Sequence, residues 1–145
     1  MPTSGAESVG RLVLDTSAYS RFRAGYKTVL DMLAAADAVL VPVTVLGELQ
    51  AGFELGRRAH ENRTTLARFL QEPFVAVLPT TPDVARRYGQ TFSRLRRAGT
   101  PIPTNDIWIA AATLDAGGRL LTFDAHFQQV AGLDCVLLNG SPTSR

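Results

Sequence analysis

The sequence contains little cysteine, little lysine and no long apolar run, and each shortage excludes a class of protein. Its one cysteine, Cys135, can form neither an intramolecular disulfide nor a multi-cysteine zinc site. Its one lysine, Lys27, argues against chemistry built on a catalytic lysine, and no glycine-rich nucleotide-binding motif is present. No apolar run approaches the roughly 20 residues that cross a bilayer, and residues 1–8 lack the features of a secretory signal. We therefore expect a chain of the reducing cytoplasm, without a membrane partner.

The charge balance is nearly even and does not by itself indicate a nucleic-acid partner. There are 15 basic residues against 13 acidic ones, which gives a net charge of +2. All but one of the basic residues are arginines, a preference that genome composition explains as well as function does. The length of 145 residues, of which 46% are hydrophobic, is sufficient for one domain with a buried core.

Five short apolar runs alternate with longer segments of helical periodicity. Apolar strands that alternate with helices are typical of a parallel sheet covered on both faces. The sequence therefore predicts one α/β domain over residues 11–138, a three-layer sandwich with a parallel five-stranded sheet flanked by helices. We expect residues 1–10 and 139–145 to be mobile tails. The predicted strands are 12–14, 39–41, 74–77, 120–123 and 135–138.

Two helix starts carry capping signals. Thr81, followed by Pro82 and by an acidic residue, is typical of a helix N-terminus. Either Thr104 or Asn105 is expected to cap the next helix, which Gly117 ends.

Four acidic residues fall where the carboxyl ends of the predicted strands meet. Asp15 and Asp124 each directly follow a strand. Glu48 lies in the second turn of the helix that leaves the second strand, and Asp106 lies near the start of a later helix. Ligands of parallel α/β folds gather at this edge of the sheet, so we expect the four carboxylates to share one site.

Carboxylates that share a site repel each other, and the repulsion must be compensated. At about 5 Å and an effective dielectric constant near 20, each pair costs about 3 kcal/mol. Shared protons, arginines or a divalent cation could compensate it. An all-oxygen ligand set suits Mg²⁺ or Mn²⁺, and a Mg²⁺ ion held by carboxylates commonly activates water for phosphoester hydrolysis.

Each acid also has a purely structural interpretation, which stays open at this point. Asp15 and Asp124 could each cap the helix that follows. Asp106 could stabilise the start of its helix through the helix dipole. Glu48 could pair with an arginine such as Arg57 or Arg58. A shared metal site is favoured because all four acids fall at the same edge.

Four segments, in their order along the chain, resemble the motifs of the PIN domain family. Any one of these motifs is short and weak, but the four together in the family's order are specific. The resemblance covers about residues 11–138 and is greatest to the VapC toxin branch. The segments are 12–18 (LVLDTSA), 45–52 (VLGELQAG), 104–111 (TNDIWIAA) and 120–127 (LLTFDAHF).

The resemblance implies a Mg²⁺-dependent endoribonuclease, with Mn²⁺ possible in its place, that cleaves a structured RNA such as tRNA or ribosomal RNA. It also implies a homodimer and a partner antitoxin that wraps the toxin and blocks its acidic pocket. Asp15 and Asp106 match the principal metal-binding aspartates, while Glu48 and Asp124 complete the set. Two supporting hydroxyl groups are carried over as well, those of Ser17 and Thr122.

Several arginines are candidates for contacts with RNA. Arg94, Arg96 and Arg97 lie just before the Asp106 segment, where they could flank the pocket or simply stabilise a helix end. Arg21 follows Asp15 closely and is a second candidate.

The aromatic residues and histidines near these motifs are ambiguous. Tyr19 and Phe22 could stack on bases or belong to the core or a dimer contact. For Trp108, packing between helix and sheet is favoured over base stacking. His60 is expected at the surface. His126 is expected there too, with contact to substrate as the alternative.

Two other classes of function are weighed against the toxin. A haloacid-dehalogenase-like Mg²⁺ phosphatase needs a second aspartate two residues after the first, and Ser17 occupies that position. A PIN-like module that only binds RNA or protein would be expected to have lost acids, whereas this chain keeps all four. A toxin ribonuclease therefore remains the favoured hypothesis.

Overall fold

Five parallel strands form one sheet in the computed structural model, which describes residues 10–139. The strand order is β3-β2-β1-β4-β5, and every pair of neighbours is parallel, which confirms the predicted sheet. Predicted strand ends differ from the observed ones by one residue at most. The strands are β1 Arg11–Leu14, β2 Ala38–Pro42, β3 Val75–Leu78, β4 Arg119–Thr122 and β5 Cys135–Leu137.

Six α-helices and one short 3₁₀ helix connect the strands of residues 10–139. None of these helices is long and apolar enough to cross a membrane. The expected tails at 1–10 and 139–145 fall almost entirely outside the described residues. The helices are α1 Thr16–Arg23, α2 Lys27–Ala35, α3 Val43–Leu55, α4 Ala59–Leu70, α5 Pro82–Ala98, α6 Thr104–Ala116 and the 3₁₀ helix Ala125–Gln129.

The central strand β1 is buried on both of its faces. Leu12, Val13 and Leu14 each have 0% exposure, although successive side chains of a strand point to opposite faces. Helices must therefore cover both sides of the sheet, as in the predicted three-layer sandwich. Helix α1 contacts β1 and β4, and helix α6 contacts β2 and β4.

The sheet order creates a crevice between β1 and β4. From β1 the chain proceeds outward through β2 to β3, and it then returns to the other side of β1 to form β4 and β5. The connections that leave the carboxyl ends of two strands at such a switch point run in opposite directions and leave room for a ligand. Asp15 follows β1 and Asp124 follows β4 by two residues, so the crevice has an acidic residue on each side.

The capping predictions were right for α5 and wrong for α6. Thr81 caps α5, because its side chain accepts a hydrogen bond from the Val84 amide at 3.2 Å. At α6 the capping position belongs to Pro103, whose carbonyl oxygen accepts from the Ile107 amide at 3.2 Å. Since Pro103 lacks a side-chain acceptor, α6 has no side-chain cap, and both Thr104 and Asn105 lie within its first turn.

We predict that Gly118→Ala destabilises the fold. A Cβ atom at Gly118 would lie 2.8 Å from Val13 Cγ2 and 3.2 Å from the Arg11 carbonyl oxygen, so β1 and β4 could not keep their spacing. The expected loss is about 1–3 kcal/mol in the free energy of unfolding, measured by urea denaturation.

Gly89→Ala is the matched control for this substitution. Gly89 is exposed within α5 and has no atom within 4 Å of an added Cβ, so alanine should stabilise the chain by about 0.5–1 kcal/mol. Equal effects of the two substitutions would contradict the close approach at Gly118.

Candidate active site

Asp15 is a buried carboxylate that is fully engaged by its neighbours. It is 4% exposed, and its Oδ1 accepts hydrogen bonds from the Ala18 amide at 2.8 Å and from Ser17 Oγ at 2.7 Å. Its Oδ2 accepts from Thr122 Oγ1. Burial raises the pKa of Asp15, the three hydrogen bonds oppose the rise, and the nearby charge of Asp124 adds to it. Asp15 does cap α1, but capping uses only one of its two oxygens.

The two predicted hydroxyl residues connect the end of β1 to the end of β4. Thr122 Oγ1 donates to Asp15 and accepts from the Asp124 amide at 2.9 Å. Ser17 Oγ donates to Asp15 and accepts from the Phe123 amide at 3.0 Å. These four hydrogen bonds fix the position of the Asp15 carboxylate relative to the segment that carries Asp124.

Asp106 and Asp124 both contact the same nitrogen of the His126 ring. His126 Nδ1 is 3.0 Å from Asp106 Oδ2 and 3.1 Å from Asp124 Oδ1, and one ligand atom of each residue lies within 4.8 Å of the others. Asp124 also caps the 3₁₀ helix, because its Oδ1 accepts from the His126 amide at 2.9 Å. Burial raises the pKa of Asp106, and the charges of Asp124 and Glu48 add to the rise, whereas His126 opposes it.

Glu48 is held by two polar neighbours rather than by an arginine. Its Oε1 accepts from Thr16 Oγ1, and its Oε2 accepts from Asn105 Nδ2 at 3.2 Å. The alternative pairing with Arg57 or Arg58 is therefore wrong. Arg58 instead forms an ion pair with Glu61 in the next turn, at 3.1 Å.

These contacts form a closed ring in which acids alternate with connecting residues. Thr122 connects Asp15 to Asp124, and His126 connects Asp124 to Asp106. Asn105 precedes Asp106 in the chain and donates to Glu48, while Thr16 follows Asp15 and donates to the other oxygen of Glu48. We call this set the acidic ring. Its members are Asp15, Thr122, Asp124, His126, Asp106, Asn105, Glu48 and Thr16.

Sequence reasoning missed three members of the acidic ring. Thr16 and Asn105 each adjoin one of the predicted aspartates in the chain, which is the only signal that could have singled them out. His126 was expected at the surface. Its side chain is indeed 49% exposed, but its ring nitrogen contacts two acids. The position of His126, two residues after Asp124 at the start of a helix, could have suggested this contact with the acids.

None of the four predicted arginines pairs with an acid of the acidic ring within residues 10–139. The Arg21 guanidinium lies 4.9 Å from the centre of the Phe123 ring, next to Asp124. Arg96 stacks on Phe92 of its own helix at 5.1 Å. Arg94 and Arg97 are exposed on α5.

The aromatic candidates pack within the protein. Tyr19 is 3% exposed and meets the edge of Phe69 at 5.5 Å, and Phe22 contacts the same ring at 5.1 Å. Trp108 stacks on Tyr88 at 4.0 Å between α6 and α5, which agrees with the packing interpretation.

The sequence profile of the PIN domain family matches residues 12–133. Ribonuclease VapC5 of Mycobacterium tuberculosis is 28% identical over 120 residues, which cover 83% of this chain and 87% of that protein.

Solved structures of toxin–antitoxin proteins share the fold. VapBC2 from Rickettsia felis, bound to a DNA fragment from the promoter, has a TM-score of 0.80 at 19% identity, over 89% of this chain and 99% of that one. VapBC-5 from M. tuberculosis, a member of the VapBC family of toxin-antitoxin systems, has a TM-score of 0.68 at 25% identity. That match covers 89% of this chain and 98% of the other.

We predict that Thr122→Val costs about 2–3 kcal/mol of stability at pH 7 in EDTA, because the buried carboxylate of Asp15 loses a hydrogen bond. The folded-state pKa of Asp15 is raised, so the folded protein binds this proton more tightly than the unfolded chain does. The contribution of Asp15 to stability should therefore fall as pH rises from about 3.9, the usual pKa of an aspartate, through its raised folded-state pKa. In Thr122→Val the pKa of Asp15 rises further. The loss in the free energy of unfolding caused by this substitution, measured by urea denaturation, should therefore grow from pH 3 to pH 7.

Thr113→Val is the matched control. Thr113 is also 0% exposed, but its hydroxyl group donates only to the Ile109 carbonyl oxygen of its own helix. The expected cost is about 1 kcal/mol or less, without a dependence on pH. A pH-independent cost for Thr122→Val would contradict its coupling to Asp15.

Proposed function

Because this chain belongs to the PIN domain family and is of the VapC type, we propose that it is the endoribonuclease toxin of a toxin–antitoxin pair. The acidic ring carries this proposal. It brings four carboxylates to the crevice between β1 and β4 and offers them no arginine or lysine as a counter-charge among the described residues. The name of the relative VapC5 includes ribonuclease, which supports RNA as the substrate.

The donor atoms of the acidic ring fit a divalent cation. Asp106 and Asp124 each have one oxygen, Oδ1 and Oδ2 respectively, that accepts no hydrogen bond from residues 10–139, so each acid keeps an oxygen free to bind a cation or to accept a proton. Carboxylate oxygens suit Mg²⁺, with Mn²⁺ as the alternative. Asp15 and Glu48 would complete the site directly or through water. When bound, the cation would neutralise charge on the phosphate and make a water molecule a better nucleophile.

The residues of the acidic ring would orient the reacting groups. Asp15 cannot rotate, because three donors hold its two oxygens. Asp124 is the more accessible aspartate, with a side-chain exposure of 39% against 15% for Asp106. We assign to Asp124 Oδ2 the proton that leaves the attacking water. The P–O3′ bond would break, so that one product would carry a 5′-phosphate, as the resemblance to PIN nucleases implies, and the other a 3′-hydroxyl group protonated by solvent water.

Three shallow grooves lead from the acidic ring to the outer face of α5, and they support Arg94 and Arg97 as RNA contacts. The first, of about 370 Å³, is lined by both His126 and Gln129. The second, of about 130 Å³, extends from Gln129 to Arg94. The third, of about 530 Å³, contains Arg94 and Arg97. Neighbouring grooves share a residue, so one RNA strand could follow all three, and exposed arginines would bind its phosphates.

Arg21 and Arg96 fit RNA in a different way. Each guanidinium already lies over an aromatic ring, Phe123 for Arg21 and Phe92 for Arg96. This stacking holds the cation in place at the surface and leaves N–H groups available for a phosphate.

A separate apolar groove between α1, α2 and α4 suits the antitoxin. It has a volume of about 550 Å³, and Leu30 and Phe74 at its wall are 41% and 42% exposed. Arg23, Arg68 and one acidic residue, Glu72, also line it, so an apolar segment with a net acidic flank would fit. The structural relatives include toxin–antitoxin assemblies, which supports this partner.

The cytoplasm and a homodimer are the remaining parts of the proposal. The cytoplasm is where an RNA-cleaving toxin meets its substrate. The resemblance to PIN toxins supports the homodimer, which light scattering of the purified chain measures directly.

Asp106→Asn should reduce RNA cleavage at least about 100-fold, because a carboxylate of the cation site is lost. Mg²⁺ should raise the melting temperature of the wild type in proportion to ln(1 + [Mg²⁺]/Kd) and should not do so in this variant. Cleavage of a labelled RNA pool and thermal melts with and without Mg²⁺ measure the two effects.

Asp83→Asn controls for the loss of an acid in the first turn of a helix, since Asp83 has that position in α5 and Asp106 has it in α6. The control should keep full activity. Equal cleavage by wild type and Asp106→Asn would overturn the proposal. RNA binding by the wild type without cleavage would support the non-catalytic module, and hydrolysis of small phosphoesters alone would support the phosphatase.

The double variant Arg94→Glu/Arg97→Glu should weaken binding of single-stranded RNA at least about tenfold and leave kcat nearly unchanged. The slope of log K against log salt concentration should become shallower by at least about 1, because two phosphate contacts are lost. Fluorescence anisotropy at several salt concentrations measures both the affinity and the slope.

Arg57→Glu/Arg68→Glu is the control. It makes the same change in net charge at two exposed residues outside the three grooves and should have little effect on RNA binding. Equal weakening by both double variants would contradict the RNA path.

A further inference from the structure

His126 is the member of the acidic ring whose chemistry the proposed function does not use. We infer that His126 is itself a ligand of the cation, through Nδ1, and that this nitrogen makes the site favour Mn²⁺ over Mg²⁺. The inference rests on the proposed function, because it concerns the same cation site.

The separations around His126 are those that ligands of one ion require. Neighbouring ligands of an octahedral ion lie about 3.0 Å apart when each bond is about 2.1 Å long. His126 Nδ1 lies 3.0 Å from Asp106 Oδ2 and 3.1 Å from Asp124 Oδ1. Ligand atoms of all three residues lie within 4.8 Å of one another, so small rotations of the side chains would bring them onto a common ion.

The local backbone holds the imidazole at this position. The His126 amide donates to Asp124 Oδ1 at 2.9 Å, which fixes the first turn of the 3₁₀ helix. The next residue, Phe127, is 1% exposed and anchors that turn in the core. The backbone of His126 is therefore fixed on both sides, and its 49% exposed side chain faces the two aspartates. A ligand held in advance loses little freedom when an ion binds.

The nitrogen donor changes which ion the site prefers. Mg²⁺ prefers oxygen ligands and keeps several of its bound waters. An imidazole nitrogen in place of one oxygen ligand therefore adds little to the affinity for Mg²⁺. First-row transition ions also accept imidazole nitrogen. Removal of His126 should therefore weaken Mn²⁺ binding much more than Mg²⁺ binding. A histidine that only donated a hydrogen bond to the aspartates would affect both ions alike.

The test is calorimetric titration of the full chain with Mn²⁺ alone and with Mg²⁺ alone. His126→Ala should weaken Mn²⁺ binding at least about tenfold and Mg²⁺ binding by less than about threefold. The chain has one other histidine, His60, which is exposed on α4, so His60→Ala is the matched control and should change neither affinity.

Pulsed electron paramagnetic resonance of bound Mn²⁺ provides a readout that requires no variant. The wild type and His60→Ala should show coupling to a ¹⁴N nucleus, and His126→Ala should not. Absence of ¹⁴N coupling in the wild type, or equal losses of both ions in His126→Ala, would overturn the inference.

Asp106→Asn separates this inference from the proposed function. If that variant loses both ions while His126→Ala changes neither affinity, the cation site stands and the role of His126 is wrong. If Asp106→Asn keeps its affinities for both Mn²⁺ and Mg²⁺, the proposed cation site is wrong, and the proposed role of His126 is wrong as well.

Discussion

Repulsion among four carboxylates is the constraint on which the architecture of this site depends. Asp15 and Asp106 lie where burial and neighbouring negative charges raise their pKa, and no basic side chain of the described chain pairs with Asp15 or Glu48. The fold tolerates this arrangement through neutral donors. Thr122 and Ser17 hold Asp15, while Thr16 and Asn105 hold Glu48. These donors orient the carboxylates without neutralising them, and the remaining negative charge is what a divalent cation would bind.

The parallel sheet explains how residues far apart in the chain reach one crevice. Strand β1 lies at the centre, and β4 returns to its free side after the chain has formed β2 and β3. Asp15 and Thr122 are 107 residues apart, yet they are hydrogen bonded because their strands are neighbours. Helices α3 and α6 also contact each other, which brings Glu48 to Asn105. A capping role and a place in the acidic ring are therefore compatible, since Asp15 and Asp124 have both.

Patterns along the chain predicted the fold and the grouping of the four acids at one edge of the sheet, because apolar strands and the residues that end them are local features. The connecting residues were less predictable. Thr16 and Asn105 contact Glu48 only through the packing of three helices, and no periodicity encodes that contact. The α6 cap was assigned wrongly because Pro103, which lacks a side-chain acceptor, starts that helix and leaves Asn105 to bond elsewhere. His126 was expected at the surface, and its side chain is indeed half-exposed, but the sequence does not show that the same side chain contacts two partly buried acids.

The most direct measurement is a titration of the aspartate carboxyl carbons by ¹³C nuclear magnetic resonance, with and without Mg²⁺. Without the cation, the resonances of Asp15 and Asp106 should titrate above the usual aspartate pKa of about 3.9. With Mg²⁺ bound, both should titrate at lower pH, because a bound cation favours the charged carboxylate. Identical titration curves in the two conditions would contradict the claim that the four carboxylates form one cation site.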